Sequence, residues 1–372
     1  MIALPGILRK PQLDALRAIA VSAVLIHHFL PVGRFIPEDF LTLGALAVRL
    51  FFVLSGYLIT GILLRSRELT FGTALKQFYL RRALRIFPIY YLVLLTLVLV
   101  GGSRVRQDIL WHLMYLSNIL FVRNPGAMGI TGHLWTLSVE EQFYFIWPFL
   151  ILLVPNKYIL RVILVAIVIG VCWTIVAFRL VALGGPIVGG ILTPACLDSL
   201  GIGSLLSFIE NDQRLRIYRE RFLRFAVITG GFIILLQTII FFGSHLLPLF
   251  FSTAYLGVSL VFVWLVGRAA QGFGGKLGAF LEWRPLLYIG KISYGVYLYH
   301  NFMPRLVSEA ANALGLSQPG TVLTFLFASA LTFLVAAASW HLIERPINRL
   351  KEQVSYSRRK DITRQVGVPE NV

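Results

Sequence analysis

The chain has 372 residues, of which 57% are hydrophobic and 14% charged, and a formal net charge of +17. An ordinary soluble domain carries about 25% charged residues, and the apolar residues here fall in runs long enough to cross a hydrocarbon core of ~30 Å, which excludes that class. The surplus cations sit in short segments between the runs, so they read as membrane topology rather than as a nucleic-acid surface.

Ten spanning helices are predicted in chain order, at about 13–33, 41–64, 84–101, 138–154, 158–179, 187–209, 222–243, 248–267, 286–306 and 320–343. The expected fold is all-α: a polytopic membrane helical bundle over residues 1–346, followed by a basic tail at 347–372 that touches anionic lipid. With both termini cytoplasmic, twenty-six of the lysines and arginines fall in inner segments and six in outer ones (Arg34, Arg104, Arg106, Arg123, Arg179 and Arg305). Such a bias fits an even number of spans. The first run is expected to remain in place rather than be cleaved as a signal peptide, because Asp14, Arg17, His27 and His28 interrupt it. The largest outer segment, about 102–137, is too short for a separate domain. Cys172 and Cys196 lie inside apolar runs and read as packing residues, without a disulfide framework or a metal site.

Ionisable groups inside a span are costly and mark function by default. In the first span Arg17 and His28 stand eleven residues apart. Three helical turns leave them offset by only ~20° and ~16.5 Å apart along the axis, so they share a face. The plainer alternative is two polar residues bonded to neighbouring helices. His27 points ~100° away from His28 and reads as a supporting partner. In the segment Gln77–Tyr91, Arg82 and Arg85 stand at i and i+3 on one face, where paired guanidinium hydrogen bonds would hold phosphates; on charge alone they serve equally as inner-face anchors.

The segment Gly132–Tyr144 carries His133, Trp135, Ser138, Glu140, Glu141 and Gln142 into the fourth span. Adjacent carboxylates there would orient a hydroxyl-rich acceptor or support a histidine, and the alternative is a helix cap by Ser138 with acids following it. In the ninth span Ser293, Tyr294, Tyr297 and His300 recur at i, i+1, i+4 and i+7 as one polar stripe, or as a hydrogen-bonded seam between helices. Ser55 and Gly56, in Phe51–Gly61, read as a site of close helix packing, and Glu344 as a tie from the last helix to a basic partner. No Gly-rich phosphate loop, HExxH or GxSxG is present.

Six segments in this order resemble the acyltransferase-3 family of integral membrane acyltransferases: Leu13–His28, Arg49–Thr60, Phe78–Tyr91, His133–Tyr144, Ile292–His300 and Glu344–Pro346. The resemblance implies a ten-helix bundle that uses cytoplasmic acyl-CoA, acetyl-CoA above all, to acylate the sugars of a carbohydrate or glycolipid at the bacterial inner membrane. The family's arginine–x10–histidine pattern falls on Arg17 and His28, and its RxxR pattern on Arg82 and Arg85. Ala47 departs from a glycine common in the family. Some relatives add a fused extracytoplasmic esterase-like domain; here a short tail follows the bundle, so any second transfer step is expected to use a separate partner.

The expected mechanism places His28 as general base, Arg17 and Glu140 as its catalytic companions, and the CoA phosphates on Arg82 and Arg85. Asp14, His27, His133, Trp135, Ser138, Glu141, Gln142, Ser293, Tyr294, Tyr297 and His300 form the supporting and acceptor-binding set, with Tyr297 or Ser293 as an oxyanion donor. A variant has His28 carry the acyl group covalently. No metal is expected, and the sequence leaves oligomeric state open. The rival class is a transporter or flippase whose polar stripes line a solute path.

Overall fold

The computed structural model describes residues 10–30, 42–100, 102–182, 190–243 and 248–350. Arg9, Arg34, the ends of the first and sixth predicted spans at 31–33 and 187–189, and the tail from 351 lie outside the described residues. Among the described residues no strand occurs. The helices are α1 (Pro11–Phe29), α2 (Leu43–Ser66), α3 (Phe71–Val100), α4 (Gly102–Leu113), α5 (Ser117–Arg123), α6 (Leu134–Leu153), α7 (Asn156–Ala182), α8 (Thr193–Asn211), α9 (Arg219–Gly243), α10 (Pro248–Gln271), α11 (Gly275–Leu281), α12 (Arg284–Tyr299), α13 (Met303–Ala313) and α14 (Thr321–Ser339). A π-helical turn at Trp340–Glu344 extends the last of them.

By length and composition, six helices can cross a membrane: α2, α3, α7, α9, α10 and α14. That number makes the chain a multi-pass membrane protein. Their outward faces carry exposed Leu95, Val168, Ile228, Phe232 and Leu334, which only a lipid solvent tolerates side by side. Four further helices fall where spans are predicted, and each is short or polar. α1 holds Gln12, Asp14, Arg17, His27 and His28, α6 carries both glutamates, α8 contains Asp198 and Glu210, and α12 has 16 residues.

Two boundaries differ from the sequence reading. α3 starts at Phe71 rather than near 84, because no proline stands between Phe71 and Pro88 and the one glycine, Gly72, falls in the first turn, so the basic segment and the span are one helix. The ninth predicted span divides after Tyr299 into a 3-10 turn, His300–Phe302, and α13. Pro304, without an N–H, fits the first turn of the new helix, where that donor would have no intrahelical partner.

α2 is central, packed against α8, α1, α10 and α6. Its contact with α8 is backbone to backbone: a Cβ on Gly56 would collide with the Leu200 carbonyl, and one on Gly203 with that of Val53. The same interface buries an ion pair, Arg49 Nη1 to Asp198 Oδ1 at 2.5 Å. Arg49 also donates to Ser199 Oγ at 2.8 Å and lies 4.5 Å over the Tyr255 ring. A buried charge is tolerable when paired and hydrogen-bonded in this way. α12 lies on α1, and Gly290 permits it, since a side chain there would strike the Asp14 carbonyl oxygen.

Candidate active site

Where α1, α2, α3, α6 and α12 converge they enclose a cavity of about 110 Å³. Its polar lining comes from Arg17, Ser55, Arg82, Arg85, Thr136, Glu140, Glu141, Tyr144, Ser293, Tyr294 and Tyr297, and its apolar wall includes Phe51, Phe52 and Ile86.

Three guanidinium groups therefore face one space. Arg17 donates to Asp14 Oδ1 at 2.6 Å, a bond between i and i+3 that the turn of α1 makes available. Arg82 stacks over the rings of Phe78 and Tyr144, at 5.9 and 4.9 Å. Neither Arg82 nor Arg85 forms an ion pair with a carboxylate among the described residues. Both act on Arg17 through their charge, and Glu140 and Glu141 act on Arg82 in the same way. Cations held by aromatic faces and long-range fields keep their N–H forks free for a ligand. Glu140 accepts from the Ser55 hydroxyl, and Ser55 in turn accepts from Tyr144 at 3.0 Å.

The polar stripe on α12 divides its work. Tyr294 donates to the Ile86 carbonyl at 3.1 Å, fixing α12 to α3. Ser293 turns back onto the Gly290 carbonyl at 2.9 Å. The Tyr297 hydroxyl shares a 2.6 Å bond with the Thr136 hydroxyl and lies 3.2 Å from the His133 carbonyl. His300, fully buried, sits beyond Tyr297, with ring centroids 4.9 Å from His28 and 5.1 Å from His133.

The two residues that the sequence places on one face of α1 thus separate. Arg17 lines the cavity; His28 is not among its lining residues, is exposed, and packs on His300, which in turn packs on the cavity-lining Tyr297. His27 packs under Gly44 of α2, where a Cβ would strike its ring, and Trp135 packs edge-on to Phe52 at 6.2 Å.

Ser138 does not cap α6. His133 occupies the cap position without a side-chain bond, while Ser138 Oγ donates to the Leu134 carbonyl at 3.1 Å and accepts from the Ser117 amide at 3.2 Å. Gln142 donates to the Tyr115 carbonyl at 2.8 Å and to Asn118 Oδ1 at 2.9 Å, and its own oxygen accepts from Thr193. Both residues therefore latch the 114–118 turn to α6 rather than face the cavity. Among the described residues no cluster of three or more His, Cys, Asp or Glu is arranged to hold a metal.

Ser55, Thr136 and Tyr144 belong to the cavity, and sequence reasoning gave them no role there. Thr136 and Tyr144 stand four residues before and after Glu140, one turn away on its own face, which is the signal that could have found them.

A cavity lined by guanidinium and carboxylate groups inside an apolar helical bundle marks a multi-pass membrane protein with a buried ionisable site. The chain belongs to the acyltransferase domain family, whose model matches residues 10–341. It is similar to the peptidoglycan O-acetyltransferase OatA of Listeria monocytogenes, with 29% identity over 91% of this chain and 56% of the relative. The putative peptidoglycan O-acetyltransferase YrhL of Bacillus subtilis is 30% identical over 95% of this chain and 57% of its own length. The O-acetyltransferase OatA of Staphylococcus aureus is 28% identical over 91% and 57%. The chain thus spans 56–57% of the length of these curated relatives. No solved structure matches it.

Proposed function

We propose that the protein is a membrane O-acyltransferase that moves an acyl group, acetyl in the first instance, from cytoplasmic acyl-CoA to a hydroxyl of a cell-wall or surface carbohydrate. It does so as a ten-span bundle of the bacterial inner membrane with both termini in the cytoplasm. The observation that supports this most is the convergence of Arg17, Arg82 and Arg85 with Glu140 and Glu141 on one cavity. Guanidinium forks suit phosphate oxygens, and under the proposed topology Arg82 and Arg85 lie in the cytoplasmic half of α3, on the side from which the phosphates of CoA arrive. The peptidoglycan named in two of the relatives suggests the class of acceptor.

In this reading Arg82 and Arg85 hold the donor phosphates and the thioester extends towards Tyr297. Glu140, anchored by Ser55, balances the cations and keeps Arg82 aligned. The acceptor hydroxyl meets His28 from the exposed side. The Tyr297 ring turns aside to join the two compartments. His28 takes the hydroxyl proton, the oxygen attacks the thioester carbonyl carbon, the carbon–sulfur bond breaks, and the proton passes from His28 to the departing thiolate. The products are an ester and free CoA thiol.

The test is thiol release from acetyl-CoA by purified full-length protein, with and without peptidoglycan oligosaccharide. Acceptor-dependent release that His28→Ala lowers by ~10²- to 10⁴-fold is the expected result, since this is the range general-base catalysis supplies. Passage of the glycan across vesicles with no thiol released would instead establish a transporter.

A further inference from the structure

His300 is the most completely enclosed titratable side chain beside the proposed site, with 0% exposure. Its Nδ1 lies 2.6 Å from the Tyr297 carbonyl oxygen. A carbonyl only accepts, so the imidazole proton is on Nδ1 and the lone pair is on Nε2. That Nε2 is buried and has no hydrogen-bond partner. An unmatched acceptor in such a place is costly and calls for a donor.

Four rings pack on His300: His28, Phe29, His133 and Tyr297. Phe29 has no donor. The His133 Nε2 lies 3.1 Å from the Leu298 carbonyl, which by the same reasoning commits that ring's N–H and leaves its Nδ1, also buried and without a partner, as a second acceptor rather than a donor. The Tyr297 hydroxyl is engaged with Thr136 and the His133 carbonyl, at 2.6 and 3.2 Å. His28 remains, with its ring centroid 4.9 Å away. That spacing is close to the ~5 Å at which an N–H of one imidazole meets the lone pair of another at ordinary hydrogen-bond length.

We infer that His300 is the positioning residue of His28: in the working site its Nε2, unpaired in this structure, accepts the His28 N–H, which fixes the tautomer and leaves the second His28 nitrogen as the base that faces the acceptor hydroxyl. This rests on the proposed role of His28. The arrangement does for this imidazole what a carboxylate does for the histidine of a catalytic triad, but with a neutral acceptor. A neutral partner suits a site enclosed by apolar helices, where a second buried anion is expensive to desolvate. Because the same ring is tied to the Tyr297 backbone, the base is held in register with the residue that walls off the cavity.

The test compares two amides at position 300 in the full-length protein, with acetyl-CoA and peptidoglycan oligosaccharide as substrates. Asn places its amide near Nδ1, so His300→Asn keeps a donor for the Tyr297 carbonyl and removes the acceptor. Gln places its amide near Nε2, so His300→Gln restores the acceptor and gives up the carbonyl bond. The inference expects kcat to fall about 100-fold or more in His300→Asn, with KM for acetyl-CoA unchanged, and to stay within about tenfold of wild type in His300→Gln. A packing role predicts the reverse order, with Asn the milder change. Equal activity of the two variants, or a more active Asn variant, overturns the inference. Should His300→Asn fail to accumulate in the membrane, His300→Gln decides alone: retained turnover supports the inference, and a loss beyond 100-fold ends it. Near-normal turnover of His28→Ala would defeat the base assignment itself. An inactive His28→Ala beside a fully active His300→Asn would defeat only the role of His300.

Discussion

Arg82 shows how a single side chain is prepared for a ligand. Its guanidinium lies over aromatic rings, 4.9 Å from Tyr144 and 5.9 Å from Phe78, and makes no ion pair among the described residues. A charge-assisted hydrogen bond to a phosphate is worth ~1.5–3 kcal/mol, which corresponds to roughly a ten- to hundredfold change in affinity. Replacing Arg82 by Ala should therefore raise KM for acetyl-CoA by that factor and leave kcat nearly as it was. Arg82→Lys should rescue little, because an ammonium group is a point charge and neither stacks flat nor bonds in a fork. Steady-state thiol release against acetyl-CoA concentration reads both numbers; an equal fall in kcat with KM constant would remove Arg82 from donor binding. The arginines were legible in the sequence because an ionisable group inside an apolar run has few excuses. Ser55 was not: in Phe51–Gly61 a serine beside a glycine looks like helix packing, and Gly56 does pack on Leu200. The serine's second allegiance, to Glu140 on α6, bridges 85 positions of sequence and leaves no periodic trace.

Pairs of helices carry the next level of argument. The α2–α8 contact combines two glycines, which bring the backbones together, with the buried Arg49–Asp198 pair. Side-chain exposures of 7% and 2% leave neither ion any water to fall back on. Removing one member of a buried pair costs about 3–5 kcal/mol, because the other charge stays behind unpaired. Asp198→Ala should accordingly lower thermal stability in detergent severely, while the double variant Arg49→Met/Asp198→Ala recovers a large share of the loss. Differential scanning of the purified variants measures it, and an additive double variant would show that the two residues are uncoupled. This pair was hidden from the sequence, since Arg49 and Asp198 are 149 residues apart and each looks alone like an isolated charge in a span. The six helices of high hydropathy announced themselves by composition. The division of the ninth span did not: Pro304 is visible, but a proline inside a run fits a kink as well as a break, and only the 3-10 turn at His300–Phe302 shows which occurred.

At the scale of the whole molecule, the four short or polar helices decide the number of spans that accompany the six apolar ones. Hydropathy alone gives these helices little weight, yet several of their polar groups are paired within the bundle: Glu140 with Ser55, Asp198 with Arg49, Gln142 with Asn118 and Gln12 with Glu282 at 2.9 Å. A span whose charges pair within the bundle pays little of the insertion cost that an isolated charge incurs. The ten-span arrangement and one built from the six apolar helices alone therefore differ in a measurable way. Between Asn124 and Asn156 the one α-helix is α6, preceded by two 3-10 turns, and between Glu282 and Ser317 lies the α12–α13 unit. All four positions are exposed. Single cysteines placed there, in a background of Cys172→Ser and Cys196→Ala, should react with a membrane-impermeant maleimide from opposite faces within each pair. Ten spans with cytoplasmic termini put Asn124→Cys and Ser317→Cys on the outside, and Asn156→Cys and Glu282→Cys within reach only after permeabilisation. Labelling of both members of a pair from one face would take that helix out of the count. It would also move Glu140, or Tyr297 and His300, out of the bilayer's depth, and the proposed route from a cytoplasmic donor to an outer acceptor would go with it.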